Sequence, residues 1–211
     1  MRTKWNSGSE RDISELAREK AMKAEIYYLL GALRDASFDI RNSKNYELKI
    51  YQNYTPWLFA IEDILSTNFG CHCRIQNSML RANGKEVMNE LLSVSNFQSP
   101  QENWGTPEIL KDANADEIWW YVSGFWDAEG GVPYSKKWSY TSFDQKSKNA
   151  LEFVRSFLVS ENLRPTNLTY TGKVWQFRIT RKEHLKIFSN RIHSLHEEKF
   201  ERLLSLLATF P

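Results

Sequence analysis

Two cysteines in 211 residues, Cys71 and Cys73, are too few and too close together for a disulfide framework, which leaves a reducing cytoplasm as the default setting. No apolar run approaches the roughly 20 residues of a membrane span, and the charged N-terminus has no signal-peptide core. Charge of one sign is scarce too. The 28 Lys and Arg stand against 26 Asp and Glu, and the formal +2 permits nucleic-acid binding without arguing for it. Glycine and proline are sparse, so a glycine inside a helical pattern stands out. Apolar and aromatic residues are plentiful, at 41% and 14%, enough to build one large core or two modest ones.

Periodicity divides the chain into two similar halves. A helix is expected from about Ile13 to Asp35, then a hairpin over 37–52 that breaks at Asn42-Ser43. A helix follows from Pro56 to Gly70, then two short strands over 71–82 and a helix from Lys85. The same order returns: EIWWYVSGFWDAE as a helix, GGVPYSKKWSYTSFD as a hairpin, KSKNALEFVRSFLVSEN as a helix. Two strands turning at Thr171-Gly172 and a helix complete it, and a last amphipathic helix spans 197–208. Single residues keep the register. Gln52 lies six before Leu58 and Gln145 six before Leu151; Arg81 and Arg178 each lie four before a Lys-Glu pair. The expected fold is α+β, two pseudo-symmetric α-β-β-α-β-β-α repeats over 1–98 and 116–211, joined by a linker over 99–115.

Gly31 and Gly124 sit mid-helix, where glycine costs roughly 0.5–1 kcal/mol against alanine. That cost is tolerable if another helix must approach closely, and each glycine helix is the natural partner of the other. The second helix delivers Asp127 and Glu129 to its own C-terminal end, where free carbonyls already disfavour an acid. Two such ends brought together would repel unless a divalent cation lay between them. Gly130 is expected to be the left-handed residue that turns the chain into its strand.

SGFWDAEGGV resembles the motif of the LAGLIDADG homing endonucleases, with Glu129 in the place of the metal-binding acid, and LLGALRDASF resembles a degenerate first copy. The resemblance covers nearly the whole chain and is to the two-motif, single-chain type. It implies that the motif helices form the central interface and that each curved antiparallel sheet lies on DNA. It also implies that paired acids hold Mg2+ or Mn2+ at the scissile phosphates. Glu129 is five residues past Gly124, whereas five past Gly31 is Ala36. Either the first helix is one residue shorter and Asp35 serves, or the first acid is lost; Asp35 is the favoured reading. Asp127 reads as a helix-end polar residue. Gln52 and Gln145 resemble the family's water-ordering residues and read equally well as turn residues. Lys199 is a candidate charge stabiliser, against the plainer reading of a solvated helix lysine.

Period-two alternation sends Phe38, Ile40, Leu48 and Ile50 inward. It leaves Arg41, Lys49, Tyr51, Arg74, Gln76 and Arg81 outward in the first repeat, and Lys137, Tyr140, Ser142, Gln176 and Arg178 outward in the second. Such side chains read base edges and phosphates in a major groove, and they also suit an ordinary solvated sheet. Cys71 and Cys73 face one way and His72 the other, so the three cannot close round one zinc. His193 and His196 read as surface histidines. The expected partner is duplex DNA with a long asymmetric target, bound by a monomer with no membrane. The expected place is the cytoplasm, a nucleoid or an organelle. A binding-only relative such as an intron-splicing maturase, which would bind RNA, is the competing expectation.

Overall fold

The computed structural model describes residues 8–41, 45–95, 97, 103–134 and 138–210. The chain opens with helix α1 (Gly8–Ala32), which tightens into a 3-10 turn over Leu33–Asp35. Strands β1 (Ala36–Arg41) and β2 (Asn45–Tyr51), helix α2 (Thr55–Phe69), strands β3 (Cys73–Gln76) and β4 (Met79–Asn83) and helix α3 (Lys85–Ser95) follow. After a further 3-10 turn, Glu108–Lys111, the order repeats. Helix α4 (Ala115–Glu129) precedes β5 (Gly130–Gly131), β6 (Thr141–Gln145) and α5 (Lys148–Ser160); β7 (Thr169–Tyr170), β8 (Trp175–Ile179), α6 (Lys182–Arg191) and α7 (Glu197–Ala208) complete it. The two antiparallel sheets have the same topology, β1-β2-β4-β3 and β5-β6-β8-β7. The expected break at Asn42-Ser43 lies outside the described residues.

Local chemistry sets the helix ends. Pro56 opens α2 in its first turn and Gly70 closes it in the left-handed region, φ 60°. Asn114 and Glu117 form a reciprocal capping box on α4, worth about 1 kcal/mol. The Ser147 side chain accepts from Ala150 N to start α5. Each sheet buries one face under its helices. Leu48, Ile50, Leu80 and Ala82 pack on Trp57, Leu58, Ile61 and Leu65 in one core. Phe143, Phe177 and Ile179 pack on Leu151, Val154, Leu158 and Phe188 in the other.

The two cores meet along α1 and α4, whose backbones touch at the glycines. A Cβ on Gly124 would lie 1.9 Å from Tyr28 O, and one on Gly31 would lie 2.1 Å from Tyr121 O. Any side chain there would force the helices apart, which accounts for the propensity cost at both positions.

Two expectations change. Gly130 is extended, φ −84°, rather than left-handed. Glycine is needed there for space, because a Cβ would fall 2.2 Å from Trp126 Cδ1. Strand β5 is only two residues long, so the long hairpin expected over 130–144 reduces to a short ladder pairing Gly130 with Phe143 and Gly131 with Ser142. The described part of the linker packs on both cores. Trp104 is buried, stacks on Phe97 at 4.5 Å and meets Phe38 edge-on, and Leu110 is buried in the second core. Among the described residues no helix is long and apolar enough to cross a membrane.

Candidate active site at the ends of α1 and α4

The ends of α1 and α4 bring Asp35 and Glu129 to one junction, although the two acids stand four and five residues past their glycines. The 3-10 turn reconciles the count. At ~2.0 Å rise per 3-10 residue and ~1.5 Å per α residue, both offsets amount to roughly 7.5 Å along the axis. A tighter turn therefore replaces a missing residue.

The electrostatics express the crowding. Burial pushes the Asp35 carboxyl up to about 6, with the Lys199 ammonium pulling the other way. Glu129 is pushed up to about 8, first by burial and then by the Asp35 carboxyl beside it. Repulsion between the two acids opposes their ionising together.

Gln145, the last residue of β6, is buried and donates from Nε2 to Glu129 Oε1 at 3.0 Å and to Arg34 O at 3.2 Å. Its Oε1 accepts from Lys146 N at 2.6 Å, which fixes the amide so that its donor end faces the acid. Gln52, its counterpart, is half-buried and also accepts from the next residue, Asn53 N, at 2.9 Å. Among the described residues its Nε2 finds no partner, so the structure joins Gln145 to the junction and shows no such link for Gln52.

Lys199 is the clearest departure from expectation. The solvated reading fails, because the residue is buried and its Nζ donates to Trp126 O at 3.1 Å and Asp127 O at 2.6 Å. It thereby caps α4, where a cation is favoured. Burial lowers its pKa to about 8, with Asp127, Glu129 and Asp35 opposing. Two of its three protons are engaged, and the third has no protein acceptor among the described residues. His196 is also buried, contrary to its reading as a surface residue. It accepts from Lys199 N through Nδ1 at 3.3 Å and stacks on Tyr54 at 4.4 Å, and burial drives its pKa down to about 4. His193 is exposed and stacks on Trp120.

Sequence reasoning passed over Arg34 and undervalued Asp127. Arg34 is fully buried, bonding Tyr121 OH at 2.8 and 3.0 Å and the linker carbonyls of Trp104 and Gly105 at 3.2 and 2.7 Å. Asp127 is fully buried as well and accepts from Tyr28 OH, Ser194 Oγ, Leu195 N and His196 N. A signal existed: each glycine has a tyrosine three residues before it and a charge three after, Tyr28/Arg34 and Tyr121/Asp127.

The outer sheet faces carry the remaining candidates. Arg74 and Arg81 lie directly opposite each other, and Arg74, Gln76, Arg81 and Tyr51 are exposed. Lys49 is half-buried, held by Glu47 at 2.8 Å and Asp39 at 3.4 Å, and Arg81 also pairs with Glu47. In the second sheet Arg178 lies over the Tyr140 ring at 4.3 Å and donates to Gln176, which bonds Asp144. Ser142, expected outward and open, is buried: it lies opposite Arg178 and donates to Asp144 at 2.8 Å. Lys137 and the Arg41 side chain lie outside the described residues. Cys71 is buried and His72 exposed.

The donor set suits a hard divalent cation. Among the described residues no group of three or more His, Cys, Asp or Glu gathers, so no all-protein cage exists. Two half-buried carboxylates that cannot comfortably ionise together match the mode in which Mg2+ takes one or two carboxylates and completes its shell with substrate phosphates and water.

Residues 116–193 match the family model of a LAGLIDADG-like domain. Over 197 residues the chain is 30% identical to homing endonuclease I-ApeI of Aeropyrum pernix, covering 86% of each. Its fold is similar to that of I-DmoI in complex with DNA and Mn, with a TM-score of 0.61 at 16% identity over 82% of this chain and 98% of that one. Full-length DUF199/WhiA from Thermatoga maritima has a TM-score of 0.60 at 11% identity, over 87% of this chain and 60% of that one.

Proposed function

This chain belongs to the LAGLIDADG homing endonuclease family, and from that premise we propose that it is a site-specific DNA endonuclease. It hydrolyses phosphodiesters of both strands with Mg2+, or another divalent cation such as Mn2+, held by Asp35 and Glu129. The observation that carries the reading is the meeting of two half-buried acids, one from each repeat, at the end of a glycine-tight helix pair. The homing endonuclease relative supports the reaction class, and I-DmoI has been crystallised with DNA and Mn and with DNA and Ca.

A divalent cation bound there supplies water activation and charge stabilisation on the phosphoryl oxygens. The chain's own groups do the rest. Gln145 holds the Glu129 carboxylate in one orientation and keeps its own place through the Lys146 N–H. Lys199 aims its remaining proton where charge develops on the phosphate. Gln52 orders water on the Asp35 side. Lys49, Tyr51, Arg74, Gln76 and Arg81 contact one half of a long target, and Tyr140, Gln176 and Arg178 the other, together with Arg41 and Lys137. The two faces differ in sequence, so the target is asymmetric. One chain provides both acids, so it acts as a monomer.

The test is Mg2+-dependent cleavage of duplexes selected by cutting from a randomised pool, by the parent and by Glu129→Gln. The parent should linearise a plasmid carrying the selected site. Glu129→Gln should bind that site with unchanged affinity at fixed salt and leave both strands intact. Retained cutting by Glu129→Gln would remove it from the site. A parent that binds and never cuts would be a binding-only relative.

A further inference from the structure

Asp127 lies two residues short of Glu129, and its carboxylate accepts four hydrogen bonds. Its carboxylate takes Tyr28 OH at 2.5 Å, Ser194 Oγ at 2.6 Å, Leu195 N at 2.7 Å and His196 N at 3.2 Å. Three of these four donors belong to the segment that leads into α7, and the fourth comes from α1. Tyr28 OH is itself fixed, accepting from Trp57 Nε1 at 2.7 Å. The backbone carbonyl of Asp127 takes the Lys199 ammonium at 2.6 Å. One residue therefore holds α7 at two points: the side chain grips the entry of the helix, and the main chain grips the lysine one turn inside it.

The pseudo-symmetric position is built to the same plan with the sign reversed. Arg34 stands three residues past Gly31 as Asp127 stands three past Gly124, and each meets the tyrosine three residues before the other helix's glycine. Arg34 donates to two carbonyls of the connecting segment at Trp104 and Gly105, where Asp127 accepts two N–H groups from 195 and 196. Each then offers its own carbonyl to a residue of the junction: Arg34 O to Gln145, Asp127 O to Lys199. Two fully buried charges doing matched work in opposite sign are poorly explained as helix-end polarity.

We propose that Asp127 is a positioning residue: by fixing the 194–196 segment it holds Lys199 against the end of α4, in reach of the phosphate at Asp35 and Glu129. The inference rests on the nuclease reading for its consequence but not for its geometry, so its test has an arm that does not depend on cutting. Lys199 is buried by this arrangement and Cys71 is buried in the other core.

In acetylation of the intact, metal-free protein followed by mass spectrometry, Lys199 should label slowly in the parent. In Asp127→Asn it should label at least about tenfold faster, because the amide cannot accept all the donors that an ionised carboxylate takes. Cys71 thiol labelling should stay slow, which separates release of α7 from unfolding. Ser194→Ala removes one half-buried hydroxyl and serves if Asp127→Asn does not fold; Lys199 labelling should rise there by a smaller factor. Protection of Lys199 unchanged in a folded Asp127→Asn, or in Ser194→Ala if that is the variant that folds, overturns the proposal.

The second arm is a double-mutant cycle on single-turnover cleavage at saturating DNA. Asp127→Asn should slow cleavage with DNA affinity unchanged. In a Lys199→Met background the same change should cost little further, whereas a general loss of stability would add in both backgrounds. A parent without cleavage defeats the nuclease reading and leaves the labelling result to decide the positioning.

Discussion

At the scale of the residue, the junction is a balance between burial and charge. Asp35 and Glu129, raised to about 6 and about 8, bind more protons in the folded protein than in the unfolded chain. Wherever the native state binds more protons, stability falls as pH rises. The metal-free protein should therefore lose stability between the ordinary carboxylate range and about pH 8. Lys199, lowered to about 8, acts in the opposite direction only above that point. A divalent cation must displace those protons at low pH and relieves repulsion between the ionised acids at high pH. Thermal unfolding should show a larger Mg2+-induced rise in Tm at about pH 8.5 than at about pH 5. An equal rise at both would mean the cation binds elsewhere. Lys199→Met should lower the single-turnover cleavage rate by on the order of a hundredfold to a thousandfold with little change in affinity, as for the loss of one donor to a developing charge.

At the scale of the element, the crossing of α1 and α4 fixes everything below it. Gly124→Ala places a Cβ within 1.9 Å of a backbone carbonyl that cannot rotate away. Overpacking of that kind should cost about 3 kcal/mol or more, seen as a lower urea midpoint, and should abolish cleavage with the acids intact. A neutral Gly124→Ala would show that the helices have slack. Much of this was legible beforehand. The repeat and the crossing glycines follow from offsets that recur in both halves. The step from Gly31 to Asp35 was legible only as a discrepancy, because a 3-10 turn leaves no mark in apolar periodicity. Lys199 and His196 were misjudged for a related reason. The amphipathic pattern of α7 places leucines well but cannot tell where the helix docks. That is set by Asp127, about seventy positions away in sequence, through N–H groups that every residue carries.

At the scale of the whole molecule, two sheets of one topology present different outer faces. The first carries exposed Arg74, Gln76 and Arg81, and the second a braced row of Tyr140, Arg178, Gln176 and Asp144. A protein with so small a net charge binds DNA through the placement of its charges, so affinity should fall linearly in log salt. Arg74→Ala should flatten that slope by about one phosphate's worth, near 0.9, across specific and unrelated duplexes alike. An unchanged slope would take Arg74 off the DNA. The claim on which the rest depends is that one acid from each repeat holds the same divalent cation at the DNA. Crystals of the complex with its selected duplex and Mn2+, measured for anomalous scattering, address it without intermediaries. Density should appear between Asp35 and Glu129, in contact with both carboxylates and a phosphate oxygen. Density bound to only one of them, or confined to another part of the molecule, would contradict the account.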